Sequence, residues 1–185
     1  KEYIYEKQQF IKKYSTKGNF TRKENIHLTM QFIGEVKPDE IGKLAKALDD
    51  TVKETGSFTI DINDIGKFER KGGDIVWLGV QKNEELQGIY NNLGENLKKV
   101  GYKTESRPYK PHITIGRKVI FNKNFKDIKK EIILHKSISI KKLSLMESTR
   151  INGILKYISK HSISLIWKIE IANFTIDFTT NLLYN

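Results

Sequence analysis

The feature that most constrains the fold of this chain is a His-x-Thr tripeptide that occurs twice, each time followed by an apolar residue. The copies are His27-Leu28-Thr29-Met30 and His112-Ile113-Thr114-Ile115. Around the first copy, apolar and polar residues alternate from position 26 to position 32, which predicts a strand with one face in the core. At a rise of about 3.3 Å per residue, the histidine and threonine of each copy share one face with their Cα atoms about 6.6 Å apart. We therefore predict two similar strands, each presenting an imidazole and a hydroxyl on its polar face.

The rest of the chain mixes helical and strand patterns on both sides of its middle. Apolar residues recur at helical spacing over residues 3–14, 38–56 and 83–100, whereas 58–65 and 75–80 have strand patterns. Residues 15–24 are predicted to be a polar connection, and 123–135 fit either a short helix or a loop followed by a strand. The segment 137–146 alternates imperfectly, which predicts a bulged strand. Asn152-Gly153 predicts a tight hairpin turn into 154–165.

These patterns predict an α+β fold built from two similar lobes, with antiparallel sheets flanked by helices. The two histidines are 85 positions apart (112 minus 27), and each His-x-Thr strand is followed by a helix or loop and then by further strands. We therefore expect the fold to be pseudo-symmetric, with one histidine on each side of a shared site.

Size and charge narrow the classes of partner. At 185 residues the chain is long enough for one folded unit with a core. Its 33 Lys and Arg against 22 Asp and Glu give a formal net charge of +11, which favours polyanionic partners, although charge spread this evenly is also typical of a solvated surface. The absence of cysteine excludes disulfides and thiolate chemistry. No apolar run approaches the ~20 residues of a membrane span, and we expect a cytoplasmic monomer.

Two histidines on facing strands predict acid and base catalysis. A neutral imidazole can accept a proton from water while a protonated one donates a proton to a leaving oxygen. We expect the hydroxyls of Thr29 and Thr114 to bind the non-bridging oxygens of a phosphate, and Arg117 to add a charged contact. Strict alternation would point Arg117 away from His112, so we predict a bulge at Gly116 that turns it back.

The sequence gives less support to other functions of these residues. A single His-x-Thr is most often an ordinary polar strand face, but two copies in matching contexts favour a site. A metal site is the rival use, yet neither strand offers a third His, Asp or Glu ligand on the same face. His135 and His161 lie outside the repeat and are interpreted as surface or packing residues. No glycine pattern of a nucleophile elbow surrounds any serine.

The repeated motifs resemble the signatures of the two-histidine (2H) phosphoesterases, specifically the RNA 2′,3′-cyclic phosphodiesterases, also called 2′-5′ RNA ligases. The resemblance rests on Asn25-Ile26-His27-Leu28-Thr29-Met30 and on residues 107–117, with support from Phe32-Ile33-Gly34, from Val76-Trp77-Leu78-Gly79-Val80 and from Leu143-Ser144-Leu145-Met146-Glu147-Ser148 followed by Gly153 and Tyr157. It covers about residues 5 to 160. It implies a bilobal fold with the active cleft between the lobes, no metal or other cofactor, and hydrolysis of an RNA-terminal 2′,3′-cyclic phosphate to a 2′-phosphate.

The resemblance also implies roles for single residues. His27 would donate a proton to the leaving 3′ oxygen and His112 would activate water, an order that the residues themselves leave open. Thr29, Thr114 and Arg117 would hold the phosphate. A terminal base is expected to stack on an aromatic side chain such as Tyr109 or Phe32, although the alternation places Phe32 in the core.

The same resemblance sets the predicted domain limits. Residues 1–160 would form the single bilobal domain, and 161–185 an extension of which part adds a strand to the sheet. The partners would be RNA 3′ ends or small nucleotides with a cyclic phosphate. Two alternatives stay open: an RNA-binding protein with a vestigial two-histidine site, and the same chemistry on 2′-5′-linked or small cyclic nucleotides.

Overall fold

The computed structural model describes residues 1–53, 55–105, 107–165, 169–171 and 174–176. Its helices are α1 (Glu2–Lys13), α2 (Ile41–Thr51), α3 (Glu84–Lys99) and α4 (Phe125–Glu131), with short 3-10 turns at Lys23–Asn25 and Pro38–Glu40. Its strands are β1 (Ser15–Phe20), β2 (Phe58–Phe68), β3 (Asp74–Val80), β4 (His112–Phe121), β5 (Lys136–Ile140), β6 (Lys142–Ile151), β7 (Ile154–Ser164), β8 (Ile169–Ile171) and β9 (Phe174–Ile176).

The larger lobe is a five-stranded antiparallel sheet in the order β1-β4-β3-β2-β5. Helices α1 and α4 supply Ile4, Ile11 and Ile128 to the core on one face of this sheet. Alternate residues of β4, Ile113 and Ile115, point into the same core. Because successive strand residues face opposite ways, the neighbours of these isoleucines lie on the other face of the sheet.

The second lobe is the β6–β7 hairpin packed against α2 and α3. Its core contains Leu44 and Leu48 of α2 and Leu93 of α3, against which Leu143 and Leu145 of β6 pack. Asn152 and Gly153 join the two strands, and both have positive φ, 51° and 74°, as a two-residue type I′ turn requires. The predicted hairpin turn is confirmed. So is the α+β class with two antiparallel sheets flanked by helices.

The predicted strand around the first His-x-Thr motif is wrong. Residues 26–37 have no regular secondary structure, and no described strand pairs with them. The alternation of side chains nevertheless holds from Ile26 to Met30, with Ile26 and Leu28 in the core of the larger lobe and Met30 in that of the smaller. It fails at Phe32, which is 78% exposed although the alternation places it in the core. Packing, without a hydrogen-bonded ladder, therefore holds this segment between the lobes.

Three further expectations change. Residues 15–20 of the predicted polar connection form β1, because they pair with the edge of β4 in spite of their polar sequence. The ambiguous 123–135 segment is α4 followed by residues without regular structure. The segment 137–146 is interrupted at Lys141, where the chain leaves β5 in one sheet and starts β6 in the other, and the predicted irregularity lies between Leu145 and Met146, where the pairing with β7 shifts by one residue.

The predicted boundary at residue 160 falls inside β7, which continues to Ser164. In the described part of the predicted extension, β8 pairs with β9 in a separate two-stranded sheet and with no strand of the larger sheet. The rest of that prediction concerns residues 166–168, 172–173 and 177–185, which lie outside the described residues. Among the described helices, none has the length and apolar character needed to cross a bilayer.

Candidate active site

The imidazole of His27 is held through its Nδ1 atom. Nδ1 lies 2.6 Å from the backbone oxygen of Asn25. A carbonyl oxygen only accepts hydrogen bonds, so Nδ1 carries a proton in this arrangement and Nε2 is the nitrogen left for chemistry. The other neighbour of the ring is Tyr157 on β7, at 4.6 Å between ring centroids with the planes tilted by 57°. His27 itself is exposed.

Asn25 connects this histidine to the β6–β7 hairpin. Its side chain is only 7% exposed, and its Nδ2 donates a hydrogen bond to the backbone oxygen of Leu155 at 2.9 Å. Leu155 and Tyr157 are two positions apart on β7, so one short stretch of strand holds both Asn25 and the ring of His27. Strand β7, 130 positions along the chain from Asn25, thus contacts both the ring of His27 and the residue that holds its Nδ1 atom.

We predict that Asn25→Asp lowers kcat/KM of any reaction that depends on His27 by about tenfold, since a loosened hydrogen bond misplaces the ring. The variant keeps the shape of the side chain but removes the donor to Leu155. The control is Asn63→Asp, because Asn63 is exposed and, within the described residues, its Nδ2 donates a hydrogen bond only to the side chain of Gln81, just after the end of β3. Steady-state kinetics compare the two. Equal rates in both variants would show that Asn25 does not position the histidine.

His112 is held in the same way at the first residue of β4. Its Nδ1 lies 2.7 Å from the backbone oxygen of Lys110, again two residues upstream, and its Nε2 is left for chemistry by the same reasoning. The ring is half-buried against Phe68, 5.4 Å away and nearly perpendicular, and against Trp77, 6.0 Å away. The two copies of the motif therefore present their imidazoles through equivalent backbone contacts.

The threonines of the two motifs leave their hydroxyls open. Thr29 is exposed and Thr114 half-exposed, and within the described residues neither hydroxyl makes a hydrogen bond. Thr114 pairs with Trp77, and His112 with Gly79, so these four residues share one face of the sheet. Each motif thus offers one imidazole and one hydroxyl, as the repeat predicts.

Tyr109 joins the two motif segments. Its hydroxyl lies 3.2 Å from the backbone oxygen of Thr29, and its ring stacks on Tyr90 of α3 at 4.1 Å between centroids with an interplanar angle of 9°. Burial raises the pKa of the Tyr109 phenol. The hydroxyl and one ring face are therefore occupied within the protein. The stacking of a terminal base on Tyr109 stays a prediction, for which only the second ring face is left.

The predicted bulge at Gly116 is present. On β3 the adjacent residues Val76 and Trp77 pair with Gly116 and Thr114, so β4 has one extra residue at this point. A second irregularity follows, where Lys118 has a φ of 53°. Arg117 lies between them, exposed, and no described residue forms an ion pair or a side-chain hydrogen bond with it. Among the described residues, no hydrogen bond or ion pair connects Arg117 to either histidine, and its phosphate contact stays a prediction.

The other two histidines have no part in this arrangement. His161 Nε2 lies 2.6 Å from a carboxylate oxygen of Asp49, an interaction that joins β7 to α2. His135 is exposed, and its backbone amide donates a hydrogen bond to the hydroxyl of Tyr3. In the described part of the chain, no three His, Asp or Glu side chains come together as metal ligands.

The model of the 2′-5′ RNA ligase superfamily matches residues 7–150, most of the chain. This chain belongs to the 2′-5′ RNA ligase superfamily. The match includes both His-x-Thr motifs and the hydrogen-bonded contacts that hold them, with the exception of the β7 residues Leu155 and Tyr157, which lie beyond its end.

Several curated relatives of this superfamily member are named RNA 2′,3′-cyclic phosphodiesterase. The Methanocaldococcus jannaschii protein is 31% identical over 148 residues, which cover 76% of this chain and 82% of that protein. The Thermotoga maritima protein is 34% identical over 113 residues, which cover 59% of this chain and 60% of that protein. The matched region of the Archaeoglobus fulgidus protein is 52% of its length, so the chain spans little more than half of some of these relatives.

Solved structures of other proteins have the same fold as this chain. Escherichia coli LigT complexed with 3′-AMP is 25% identical, with a TM-score of 0.66 over 80% of this chain and 81% of that one. A protein described as a phosphoesterase has a TM-score of 0.69 over 87% of this chain and 92% of that one. Because that phosphoesterase is only 23% identical to this chain, the similarity shows a shared fold alone.

Sequence reasoning missed four residues that surround the two imidazoles in this superfamily member. They are Asn25, Phe68, Trp77 and Tyr157. Asn25, Trp77 and Tyr157 belong to the motifs that carry the resemblance but not to the predicted site. A signal for Trp77 was present, since Gly66 and Gly79 leave room for a large ring on neighbouring strand positions. The contacts of Asn25 and Tyr157 could not be predicted, because only the folded chain brings β7 to the first motif.

Proposed function

We propose that this protein hydrolyses the 2′,3′-cyclic phosphate at the 3′ end of RNA to a 2′-phosphate, with His27 and His112 as the paired proton donor and acceptor. The observation that carries the proposal is the matched anchoring of the two imidazoles, each through Nδ1 to the carbonyl two residues upstream. The names of the relatives in other organisms support the same chemistry.

The reaction needs one proton to arrive and one to leave. A water oxygen attacks phosphorus, the bond between phosphorus and the 3′ oxygen breaks, and the phosphate stays on the 2′ oxygen. One Nε2 takes the proton of the attacking water, while the other, protonated, gives its proton to the departing 3′ oxygen. The family order makes His112 the acceptor and His27 the donor. The open hydroxyls of Thr29 and Thr114 would donate hydrogen bonds to the non-bridging oxygens, where negative charge increases in the transition state.

A binding protein with a vestigial site is the second candidate, and the site geometry disfavours it. Binding alone does not require two imidazoles that are each held through Nδ1, with Nε2 left open, beside two unengaged hydroxyls, whereas paired proton transfer needs an open Nε2 on each ring. The net charge of +11 fits either function, since both have RNA as the partner. We further propose that the protein is monomeric and cytoplasmic.

The test is incubation of a short oligoribonucleotide that ends in a 2′,3′-cyclic phosphate, with and without excess EDTA. We expect ring opening at the same rate in both, and ³¹P NMR should identify the product as the 2′-phosphate. The His27→Ala, His112→Ala double variant is the control for contaminating nucleases. A 3′-phosphate product, or no ring opening above the control, would contradict the proposal. Use of 2′,3′-cyclic AMP in parallel separates an RNA enzyme from one that acts on small cyclic nucleotides.

A further inference from the structure

The hydroxyl of Tyr109 is a direct link between the two motif segments. It donates a hydrogen bond to the backbone oxygen of Thr29 at 3.2 Å and lies 3.2 Å from the sulfur of Met30. Among the described residues, no other hydrogen bond joins residues 26–37 to residues 107–121. The position of the Tyr109 ring therefore affects the spacing between the first motif and the second.

Tyr90 of α3 holds the ring of Tyr109 from the side of the smaller lobe. The two rings are parallel to within 9°, and their centroids are 4.1 Å apart. Tyr109 directly precedes Lys110, whose backbone oxygen holds the Nδ1 atom of His112 at the start of β4. The stack thus joins a helix of the smaller lobe to the residue next to the anchor of His112 in the larger lobe.

The same side of α3 packs against the first motif segment. Tyr90 and Gly94 are four positions apart, so they lie one turn apart on one side of the helix. Gly94 is buried, and a Cβ atom at this position would lie 3.7 Å from Nε2 of Gln31. Met30 packs into the core that α3 shares with α2. Helix α3 therefore contacts the first motif segment directly and the second through the ring of Tyr90.

We propose that Tyr90 is a positioning residue, whose stack on Tyr109 sets the spacing and alignment of His27 and His112. The inference rests on the proposed function and adds a residue that has no contact with the reacting atoms. Coupled proton transfer requires both Nε2 atoms to reach one phosphate together, whereas each lobe alone can supply part of the contacts that bind the substrate. An error in the spacing should therefore lower kcat more than it raises KM.

The kinetic test changes Tyr90 with and without loss of the stack. Tyr90→Leu removes the aromatic surface and should lower kcat for ring opening about tenfold, with KM changed by less than about threefold. Tyr90→Phe keeps the ring and should retain the wild-type kcat. Tyr5→Leu is the matched control, because Tyr5 is exposed on α1 and no described aromatic ring stacks on it. An unchanged kcat in Tyr90→Leu would overturn the proposal.

A double-variant cycle tests whether Tyr90 acts through Tyr109. Tyr109→Phe keeps the stacked ring but removes the hydroxyl that bonds to Thr29, so it should lower kcat about as far as Tyr90→Leu does. The double variant Tyr90→Leu, Tyr109→Phe should lose no more than the worse single variant, because both changes break the same link. Losses that multiply in the double variant would mean that Tyr90 acts independently, which contradicts the proposed role.

A measurement without substrate separates this proposal from the proposed function. The chain contains no cysteine, so Glu6→Cys on α1 and Asn92→Cys on α3, both exposed positions, place one spin label on each lobe. Double electron–electron resonance should give one narrow distance distribution with Tyr90 or Tyr90→Phe, and a broadened one with Tyr90→Leu. An equally narrow distribution in Tyr90→Leu would overturn the positioning role. A protein that shows the broadening but opens no cyclic phosphate would contradict only the proposed function.

Discussion

Replacement of His27 or of His112 by alanine is expected to lower kcat/KM for ring opening by at least about 10²-fold, the usual effect of removing a general acid or base. In each imidazole, Nδ1 is hydrogen-bonded to a backbone carbonyl, so only Nε2 can contact the substrate. Alanine removes that single nitrogen and offers no substitute. The measurement is initial-rate kinetics on an oligoribonucleotide with a terminal 2′,3′-cyclic phosphate.

Two comparisons make the result specific. His161→Ala and His135→Ala remove imidazoles outside the site, one paired with Asp49 and one exposed, and should leave kcat/KM unchanged. The double variant His27→Ala, His112→Ala should lose little more than the worse single variant, because residues that act as one unit have non-additive effects. If both single variants kept the wild-type rate, the catalytic assignment would be wrong.

Replacement of Gly66 by alanine should reduce stability and activity together. The new Cβ would lie 2.2 Å from the Trp77 ring, far inside contact distance. The indole has no free path away, since Phe68 and His112 pack against it. We expect a loss of about 1–3 kcal/mol in the free energy of unfolding, as for other overpacked cores, measured by urea denaturation. Because Trp77 contacts His112, its displacement should also lower kcat/KM by about tenfold.

The matched control is Gly88→Ala in α3. A Cβ at Gly88 meets no atom within 4 Å, and alanine is the better helix former, so this variant should gain about 0.5–1 kcal/mol. The pair of variants applies the same chemical change at a crowded and an open glycine. Wild-type stability of Gly66→Ala would mean that the indole does not lie across β2.

The sequence predicted side-chain faces better than strands. Alternation around the first motif placed His27 and Thr29 on the exposed side, and the structure agrees. The alternation could not show whether those residues form a strand, because a strand exists only where a second strand pairs with it. The same reason explains β1, whose polar sequence gives no strand signal but which pairs with the edge of β4.

Features that depend only on neighbouring residues in the sequence were predicted correctly. The Asn152-Gly153 turn needs only the conformational freedom of two residues, and the bulge at Gly116 needs only a glycine in a strand. The contacts that hold the first motif, by contrast, join residues that are far apart in the sequence. The bond from Asn25 to Leu155 crosses 130 positions of the chain, and nothing in either stretch alone indicates the other. The repeat therefore predicted the four groups to which we assign the chemistry, whereas the way they are held required the structure.

The dependence of the ring-opening rate on pH tests the paired acid and base most directly. With one imidazole neutral and the other protonated, the wild-type kcat/KM should fall at low pH, where the base is protonated, and at high pH, where the acid is deprotonated. Residual activity of His112→Ala should lose the fall at low pH, and that of His27→Ala the fall at high pH. A wild-type rate that changes in only one direction, or single variants that both keep the full bell, would contradict proton transfer by this pair.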